Sequence, residues 1–363
     1  MSTNFGKSLW RLAVRAPGAV ALRFSARAPL ESLASELGPQ VHVVDAGLAT
    51  EPGAATVAAW VESHGRGCAG VVAAAGGISG LAFGGQPWVT VRAMDLVGVD
   101  QKLVAAFAAD GVVCVRGVLN PDEVAVAARG IDTVLASPGP LALVASDADD
   151  PGAFTEDFCR WRDVPEIGEL ARHSRAPAIA AALMATPEVR FYHDHVLVKE
   201  GGTTQRTPWH QDQPYYNVDG RGVSAWIPVD PVPEAGCLEL VAGSHVGPWL
   251  MPRTFLLGEA RWFPEGSLAE LPDIEADRAA FDIRRFGLAP GDAIFFDFLT
   301  VHGAPGFPFA GRRRVLSLRY LSAGARHAPR KWRTSPHFEG LDRELAAGGA
   351  LDHPLFPVVW PGN

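Results

Sequence analysis

The chain has 363 residues, of which 48% are hydrophobic, and a formal net charge of −8 at pH 7. This length and composition allow a sizeable core. The net negative charge and the lack of a Lys/Arg-dense patch offer nucleic acid no extended binding surface, although Arg312, Arg313 and Arg314 form one local basic cluster. The four cysteines are far apart and form no Cys-x-x-Cys pair, which argues against a zinc ribbon or a disulfide framework and favours a reducing cytoplasm.

The sequence contains no segment that we expect to enter a membrane. Basic residues occur near the N-terminus, but Gly, Pro and Arg interrupt every apolar run there, so a secretory signal is not predicted. The most apolar later stretch, residues 68–83, is mostly Ala and Gly and is too short to span a bilayer. We therefore expect a cytoplasmic protein that acts on a small molecule.

Residues 1–95 are predicted to form a small α/β unit. Short apolar runs alternate there with helix-like segments in the βαβαβ order of a parallel sheet. The strand-end acid Asp45 and the Ala-Gly turn at residues 74–77 resemble a degenerate short-chain dehydrogenase or ketoreductase fragment. Only Gly18 lies where a dinucleotide fold needs several glycines, and the unit has no Tyr-x-x-x-Lys pair. We expect a scaffold, or a surface for a carrier protein or self-association; a reductase is the less favoured alternative.

A second unit is predicted over residues 96–363. It begins with an amphipathic helix that ends at Asp110. Asn120 is a good helix N-cap, Pro121 suits the first helical position, and two acids follow in the first turn. This pattern predicts a helix from Pro121 to Leu135.

The rest of the second unit is expected to be mainly β, with the helices flanking it. Residues 137–153 are rich in Pro, Gly, Asp and Ala and are predicted to form a surface loop. From Val189 to about Leu321, short apolar strands alternate with Gly and Pro turns, which is typical of a sandwich, a barrel or a jelly roll. The Pro-rich tail is expected to run over the outside of this core.

The stretch from Thr207 to Tyr216 contains an imidazole and a carboxylate two residues apart. Alternate side chains of an extended strand point the same way, so His210 and Asp212 can bind one metal ion. A His-x-Asp pair is expected about once by chance in this chain, so a third ligand is needed. His302 is the best candidate, since it ends an apolar strand and precedes a glycine. Two imidazoles and one carboxylate form the facial triad of non-haem Fe(II) oxygenases.

Such a triad leaves three coordination positions open, two for a chelating 2-oxo acid and one for O2. The distal carboxylate of the oxo acid then needs a fixed cation. Arg313 starts the apolar strand that follows His302 and can aim a planar, permanently charged guanidinium into the same barrel. Arg312 and Arg314 remain alternatives for this role.

Six motifs occur in a characteristic order: TPWHQDQPYY at 207–216, WIPVDPV at 226–232, GCLELVAGSH at 236–245, PGD at 290–292, HGA at 302–304 and RRVLSLRY at 313–320. Over residues 96 to 325 they resemble the phytanoyl-CoA dioxygenase family. The resemblance implies a double-stranded β-helix, a cupin-like jelly roll, that uses Fe(II), 2-oxoglutarate and O2. It also implies that the three predicted ligands bind the iron and that Arg313 binds the cosubstrate.

The same resemblance implies roles for further residues near the cosubstrate. Trp226 would line its pocket, and Lys199 would reach its keto-acid end. Ala304 stands where some members carry a serine, which removes one hydrogen bond to the cosubstrate. Related halogenases replace the metal carboxylate with a small residue, so the presence of Asp212 favours hydroxylation or another oxidation.

The expected activity is hydroxylation of an unactivated C–H bond in an acyl derivative, an amino acid or a secondary metabolite, with release of succinate and CO2. The alternative is a metal-binding jelly roll that acts as a non-oxidative isomerase or a binding protein. His193 and His195 form a rival metal pair at strand spacing, or one of them faces the substrate; His245 is expected in a turn. Four aromatic residues are candidates for a substrate wall or for core packing: Trp161, Phe191, Tyr215 and Tyr216.

Overall fold

The computed structural model describes residue 99, residues 101–251 and residues 268–361. The predicted βαβαβ unit of residues 1–95 lies outside the described residues. Its fold, its role in docking and the domain boundary next to it therefore stay predictions. The described part of the chain falls within the second predicted unit.

Five α-helices occur in the described part of the chain. They are α1 (Gln101–Asp110), α2 (Pro121–Ala136), α3 (Pro165–His173), α4 (Ala176–Met184) and α5 (Leu341–Glu344). None of them is long and apolar enough to cross a membrane.

The local sequence explains where the first two helices begin and end. Helix α1 stops before Gly111, whose positive φ of 72° suits a residue without a side chain. At the start of α2, the Asn120 side chain accepts a hydrogen bond from the Glu123 backbone N–H, and the Glu123 carboxylate accepts one from the Asn120 N–H. This capping box confirms the predicted helix start.

Fourteen β-strands occur in the described residues. They are β1 (Val112–Val115), β2 (Leu143–Val144), β3 (Phe154–Phe158), β4 (Val189–Glu200), β5 (Thr207–His210), β6 (Val218–Asp219), β7 (Gly222–Pro228), β8 (Glu239–Val241), β9 (Ile283–Arg284), β10 (Ala293–Asp297), β11 (His302–Ala304), β12 (Arg312–Ser322), β13 (Arg326–His327) and β14 (Val358–Trp360).

The strands pair antiparallel into two main sheets. The large sheet has the order β1-β10-β7-β12-β4-β3-β2, with β14 also paired to β4, and the small sheet has the order β5-β11-β8-β9. One hydrophobic cluster joins Trp226, Ile294 and Val315 of the large sheet to Leu240 of the small sheet. The two sheets therefore share a core, and the predicted mainly-β jelly roll is confirmed.

Helix α4 covers the other face of the large sheet. All its residues are buried, and it contacts β4, β7 and β12. As a consequence, every residue of β7 and nearly every residue of β4 is buried, whichever face it points to. Neither strand shows the alternation of buried and exposed residues that is typical of a half-exposed strand.

Two predicted loops contribute more to the fold than their composition indicates. Within residues 137–153, β2 pairs with β3 and forms the edge of the large sheet. The Pro-rich tail adds β14 to the large sheet, and its residues Leu341, Leu351 and Phe356 pack with Tyr192 in a buried cluster. The expectation that the whole tail runs over the outside was therefore wrong, because its widely spaced apolar residues are enough to anchor it.

Candidate metal centre and cavity

The two histidines of the predicted triad lie on neighbouring strands of the small sheet. His210 ends β5 and His302 begins β11, and they are direct partners in the antiparallel register. Gly303 allows this approach, because a Cβ there would lie 3.0 Å from the Thr207 carbonyl oxygen. Asp212 follows β5 in a helical conformation that leads into a 3-10 turn, so it reaches the histidines from a turn and not from the strand.

One possible ligand atom from each of these residues lies within 4.8 Å of the other two, and all three residues are buried. The ring Nδ1 atoms lie 2.7 Å from the Pro208 carbonyl oxygen in His210 and 2.9 Å from the Thr300 carbonyl oxygen in His302. A carbonyl only accepts, so each Nδ1 carries the proton and each Nε2 keeps its lone pair.

These Nε2 atoms lie on the same side of the Asp212 carboxylate. The distances to Asp212 Oδ1 are 3.7 Å from His210 and 3.8 Å from His302. Burial lowers the pKa of His302 to about 3, so its imidazole is neutral near pH 7. Two imidazole nitrogens and one carboxylate oxygen are a donor set that suits Fe(II).

The carboxylate of Asp212 is held from the large sheet. Ser224 Oγ donates a 2.7 Å hydrogen bond to Oδ2, and a guanidinium nitrogen of Arg319 lies 3.7 Å from the same oxygen. Burial alone would raise the pKa of Asp212, but Arg319 and the two histidines hold that pKa well below its usual range. The carboxylate is therefore ionised and turned with Oδ1 toward the imidazoles.

The triad opens into a cavity of about 420 Å³ between the two sheets. Such a volume falls in the range of small-molecule sites. Its lining combines the triad, aromatic rings and aliphatic side chains with two arginines, Arg313 and Arg319.

Arg313 is a buried cation without a buried acid to balance it. Its guanidinium donates a 2.7 Å hydrogen bond to the Gly236 carbonyl oxygen, and its Nε has no hydrogen-bond partner in the region that the structure describes. The rings of Trp226 and Phe307 flank it at 5.4 Å and 5.8 Å, and burial lowers the pKa of Arg313 to about 10. Among the described residues, no carboxylate forms an ion pair with Arg313. An anionic ligand bound in the cavity can therefore supply the charge that balances the guanidinium.

The neighbouring arginines are occupied elsewhere. Arg312 is 46% exposed and lies 3.6 Å from Glu200. Arg314 forms ion pairs with Asp230 at 2.8 Å and Asp132 at 3.0 Å. Neither lines the cavity.

The other predicted cosubstrate residues divide into two groups. Trp226 and Ala304 line the cavity. The Lys199 ammonium donates instead to the carbonyl oxygens of Gln205 at 2.7 Å and Pro305 at 2.8 Å, and Lys199 is not among the lining residues. Its contact with the keto-acid end stays a prediction that these hydrogen bonds do not favour.

The structure also separates the remaining histidines. His195 lines the cavity, whereas His193 is fully buried outside it. Asp194, between them, accepts hydrogen bonds from the backbone N–H groups of Arg160 and Trp161. In the described residues, the only cluster with metal-binding geometry is the triad. His245 lies in a 3-10 turn, as expected, with Nε2 3.2 Å from the Ala108 carbonyl oxygen.

The four aromatic candidates split evenly. Tyr215 and Tyr216 line the cavity. Trp161 and Phe191 pack edge to face in the core, with their ring centroids 5.6 Å apart.

The cavity and carboxylate contacts that the sequence did not predict include Ser224, Arg319, Glu156 and Phe158. Arg319 could have been found, because it lies six residues after Arg313 on the same strand and therefore on the same face. The other three depend on how remote strands pair.

Comparison with known proteins places these features in context. The model of the phytanoyl-CoA dioxygenase (PhyH) protein family matches residues 107–315 of this chain. A probable phytanoyl-CoA dioxygenase of Caenorhabditis elegans is 24% identical over 194 residues, which are 50% of this chain and 54% of that protein. The peroxisomal phytanoyl-CoA dioxygenase of Homo sapiens is 26% identical over 190 residues, 49% of this chain and 53% of that protein. The chain thus spans about half the length of the curated relatives it matches.

Solved structures share the fold at similarly low identity. The epimerase SnoN from nogalamycin biosynthesis, in complex with Fe3+, alpha ketoglutarate and nogalamycin RO, is 24% identical with a TM-score of 0.59, covering 71% of this chain and 98% of that one. The alpha ketoglutarate dependent carbocyclase SnoK is 23% identical with a TM-score of 0.57, covering 71% and 96%. EctD from S. alaskensis is 22% identical with a TM-score of 0.51, covering 66% and 81%.

Proposed function

This chain belongs to the phytanoyl-CoA dioxygenase family, and on that premise we propose that it is an Fe(II)- and 2-oxoglutarate-dependent dioxygenase. It hydroxylates an unactivated C–H bond of a small organic molecule and releases succinate and CO2. The observation that carries the proposal is the pairing, in one buried cavity, of a two-histidine, one-carboxylate cluster with the unbalanced cation Arg313. The first suits the metal and the second suits the distal carboxylate of the oxo acid.

The side chains of the triad fit a resident Fe(II). His210 and His302 turn their Nε2 atoms toward Asp212, which presents an ionised oxygen beside them. Bound iron supplies the activation of O2, coupled to decarboxylation of 2-oxoglutarate, that oxidises the substrate. All three side chains line the cavity, so an iron held by them would face the space where the oxo acid and O2 would bind.

The remaining cavity residues bind and orient the reactants. Arg313 holds the distal carboxylate through its charged fork, while Gly236 fixes one end of the guanidinium. Trp226 and Phe307 keep this cation out of water. The apolar walls exclude water from the reacting atoms and favour an organic substrate.

The test is to add Fe(II) and 2-oxoglutarate to the protein without oxygen and to record the weak visible charge-transfer band of the chelated metal. We expect the band in the native protein and its loss in His302→Ala, which removes a ligand nitrogen. The exposed His173, whose side chain is 53% accessible, provides the matched control His173→Ala, which should keep the band. A band that never forms, or that keeps its full intensity in His302→Ala, would refute the assignment.

The non-oxidative alternative makes a different prediction. An isomerase or binding protein on the same fold would consume neither O2 nor 2-oxoglutarate. Arg313→Ala would then leave its isomerase or binding activity unchanged. Succinate release against free, CoA-linked and carrier-linked acids and small natural products both separates these functions and narrows the substrate. A carrier protein contacting residues 1–95, and the cytoplasmic location, stay predictions.

A further inference from the structure

One wall of the cavity carries a polar pair that the proposed chemistry does not use. Glu156 on β3 and His195 on the adjacent β4 both line the cavity and are 2% and 6% exposed. Phe158, the register partner of His195, stacks on the imidazole with ring centroids 3.8 Å apart. The ring is therefore held in place between β3 and the cavity.

Both members of this pair have unsatisfied hydrogen-bonding atoms. Glu156 Oε1 and His195 Nε2 are buried and have no hydrogen-bond partner within the described part of the chain. His195 Nε2 lies 3.6 Å from Glu156 Oε2, which is too long for a hydrogen bond. Buried polar groups of this kind are rare in folded proteins and call for an explanation.

The contact between Arg319 and His195 indicates which ring nitrogen of His195 carries the proton. An Arg319 guanidinium nitrogen lies 3.4 Å from His195 Nδ1, and a guanidinium only donates, so Nδ1 accepts. Burial lowers the pKa of His195, so the ring is neutral and Nε2 carries its proton. The wall thus presents an N–H donor next to carboxyl acceptors.

We propose that Glu156 and His195 recognise an alcohol group of the substrate. A hydroxyl is the small group that both donates and accepts: it donates to the Glu156 carboxyl group and accepts from His195 Nε2–H. This inference rests on the proposed function, in that the same cavity holds the substrate, and it names the substrate class as a hydroxylated, otherwise apolar molecule.

Other polar groups fit this wall less well. An ammonium group donates to Glu156 but leaves the His195 N–H without an acceptor, and a carboxylate faces the Glu156 oxygens. The surrounding lining is aliphatic or aromatic, with Leu197 buried and Leu143 and Val144 at 44% and 62% exposure. An apolar skeleton that carries one hydroxyl satisfies both parts of the wall.

The experiment measures binding by calorimetry without oxygen, using the full chain with Fe(II) and 2-oxoglutarate and, in parallel, the metal-free chain. The probes are benzyl alcohol and naphthylmethanol, each with its hydrocarbon, methyl ether, amine and carboxylate analogue. We expect each alcohol to bind at least about tenfold more tightly than each analogue. In Glu156→Leu and His195→Phe, which keep the volume of the side chain, this preference should fall to about twofold or less.

Leu143→Ala is the matched control, because it trims the same wall without changing its polar atoms. It should weaken all probes alike and keep the preference for the alcohol. The inference is overturned if no alcohol binds, if the amine or the hydrocarbon binds as well as the alcohol, or if the preference survives in both polar variants. Failure of the proposed function is a separate result: the visible band is then absent, whereas the metal-free chain still prefers the alcohols.

Discussion

Ser224 donates a 2.7 Å hydrogen bond to Oδ2 of Asp212, and both residues are buried. Ser224 belongs to the large sheet, where its register partner is Arg319, the cation nearest the same oxygen. The two candidate histidine ligands stand on the small sheet. The geometry of the triad therefore depends on both sheets, and the Ser224 hydroxyl sets which carboxylate oxygen faces the imidazoles.

Ser224→Ala should weaken metal binding. The carboxylate would remain, but it would lose the hydrogen bond that orients it, and such losses typically cost about 10- to 100-fold in metal affinity. Titration of the metal-free protein with Fe(II) or Co(II) measures this directly. The KM for 2-oxoglutarate at saturating metal should change little, since Arg313 is untouched.

Ser317→Ala provides the control for this prediction. Ser317 is as deeply buried as Ser224, and its hydroxyl has no hydrogen-bond partner among the described residues. Its removal should leave metal affinity within about twofold, because no orienting bond is lost. Equal losses in the two variants would mean that Ser224 acts through packing alone.

Arg313→Leu should abolish tight binding of 2-oxoglutarate without unfolding the protein. A hydrogen bond to a charged group contributes about 1.5–3 kcal/mol, so the KM for 2-oxoglutarate should rise about 10- to 150-fold. Because no carboxylate among the described residues pairs with the buried guanidinium, the free energy of unfolding of the ligand-free variant should be equal to or above that of the native protein.

The neighbouring Arg312 supplies the comparison. It is exposed and pairs with Glu200 at the surface, so Arg312→Leu should leave the KM for 2-oxoglutarate unchanged. Steady-state succinate release as a function of 2-oxoglutarate concentration tests both variants. A larger rise in this KM in Arg312→Leu than in Arg313→Leu would mean that Arg312, and not Arg313, binds the cosubstrate.

Asn120→Ala should destabilise the fold by about 1 kcal/mol, since it removes the side-chain acceptor of the α2 capping box. Urea unfolding measures the change. Thr133→Ala, in the same helix, removes an exposed hydroxyl that bonds back to the Arg129 carbonyl oxygen and should be neutral or stabilising. A loss in Thr133→Ala as large as that in Asn120→Ala would contradict a specific role for the cap.

The sequence predicts best those features that depend on local chemistry. The Asn120 cap and the Pro121 start of α2 follow from neighbouring residues, and the structure has both. The triad was predicted because His210 and Asp212 are close in sequence and His302 precedes a glycine. The expectation that His302 ends the apolar strand was wrong, because β10 stops at Asp297 and His302 begins the separate strand β11. Arg313 followed from its place on the next strand.

The contacts that the sequence did not predict have a common physical cause. Strands β4 and β7 are covered on both faces, so their buried residues show no alternation that marks the cavity side. Ser224 and His195 therefore look like ordinary core positions. Glu156 becomes a cavity residue only through the pairing of β3 with β4, which no local pattern specifies.

Lys199 is the predicted site residue whose surroundings differ most from the expectation. Its side chain donates to the carbonyl oxygens of Gln205 and Pro305 and lies 4.6 Å from the Phe154 ring centroid. Burial, aided by the nearby Arg313, lowers the pKa of Lys199 to about 6. A neutral amine has two N–H groups, which match the two carbonyls, so Lys199 joins the segments before β5 and after β11 without carrying a charge.

This low pKa predicts a pH-dependent contribution to stability. The pKa of Lys199 is about 6 in the folded state, whereas the ordinary lysine value is 10.5, so between these pH values the unfolded chain binds the extra proton. Stability should then rise with pH, by up to about 1.4 kcal/mol per pH unit. Lys199→Met removes this contribution. In urea titrations, the free energy of unfolding of the native protein should therefore rise relative to that of the variant between about pH 7 and pH 8.5. Parallel pH profiles would instead show that Lys199 stays charged in the folded protein.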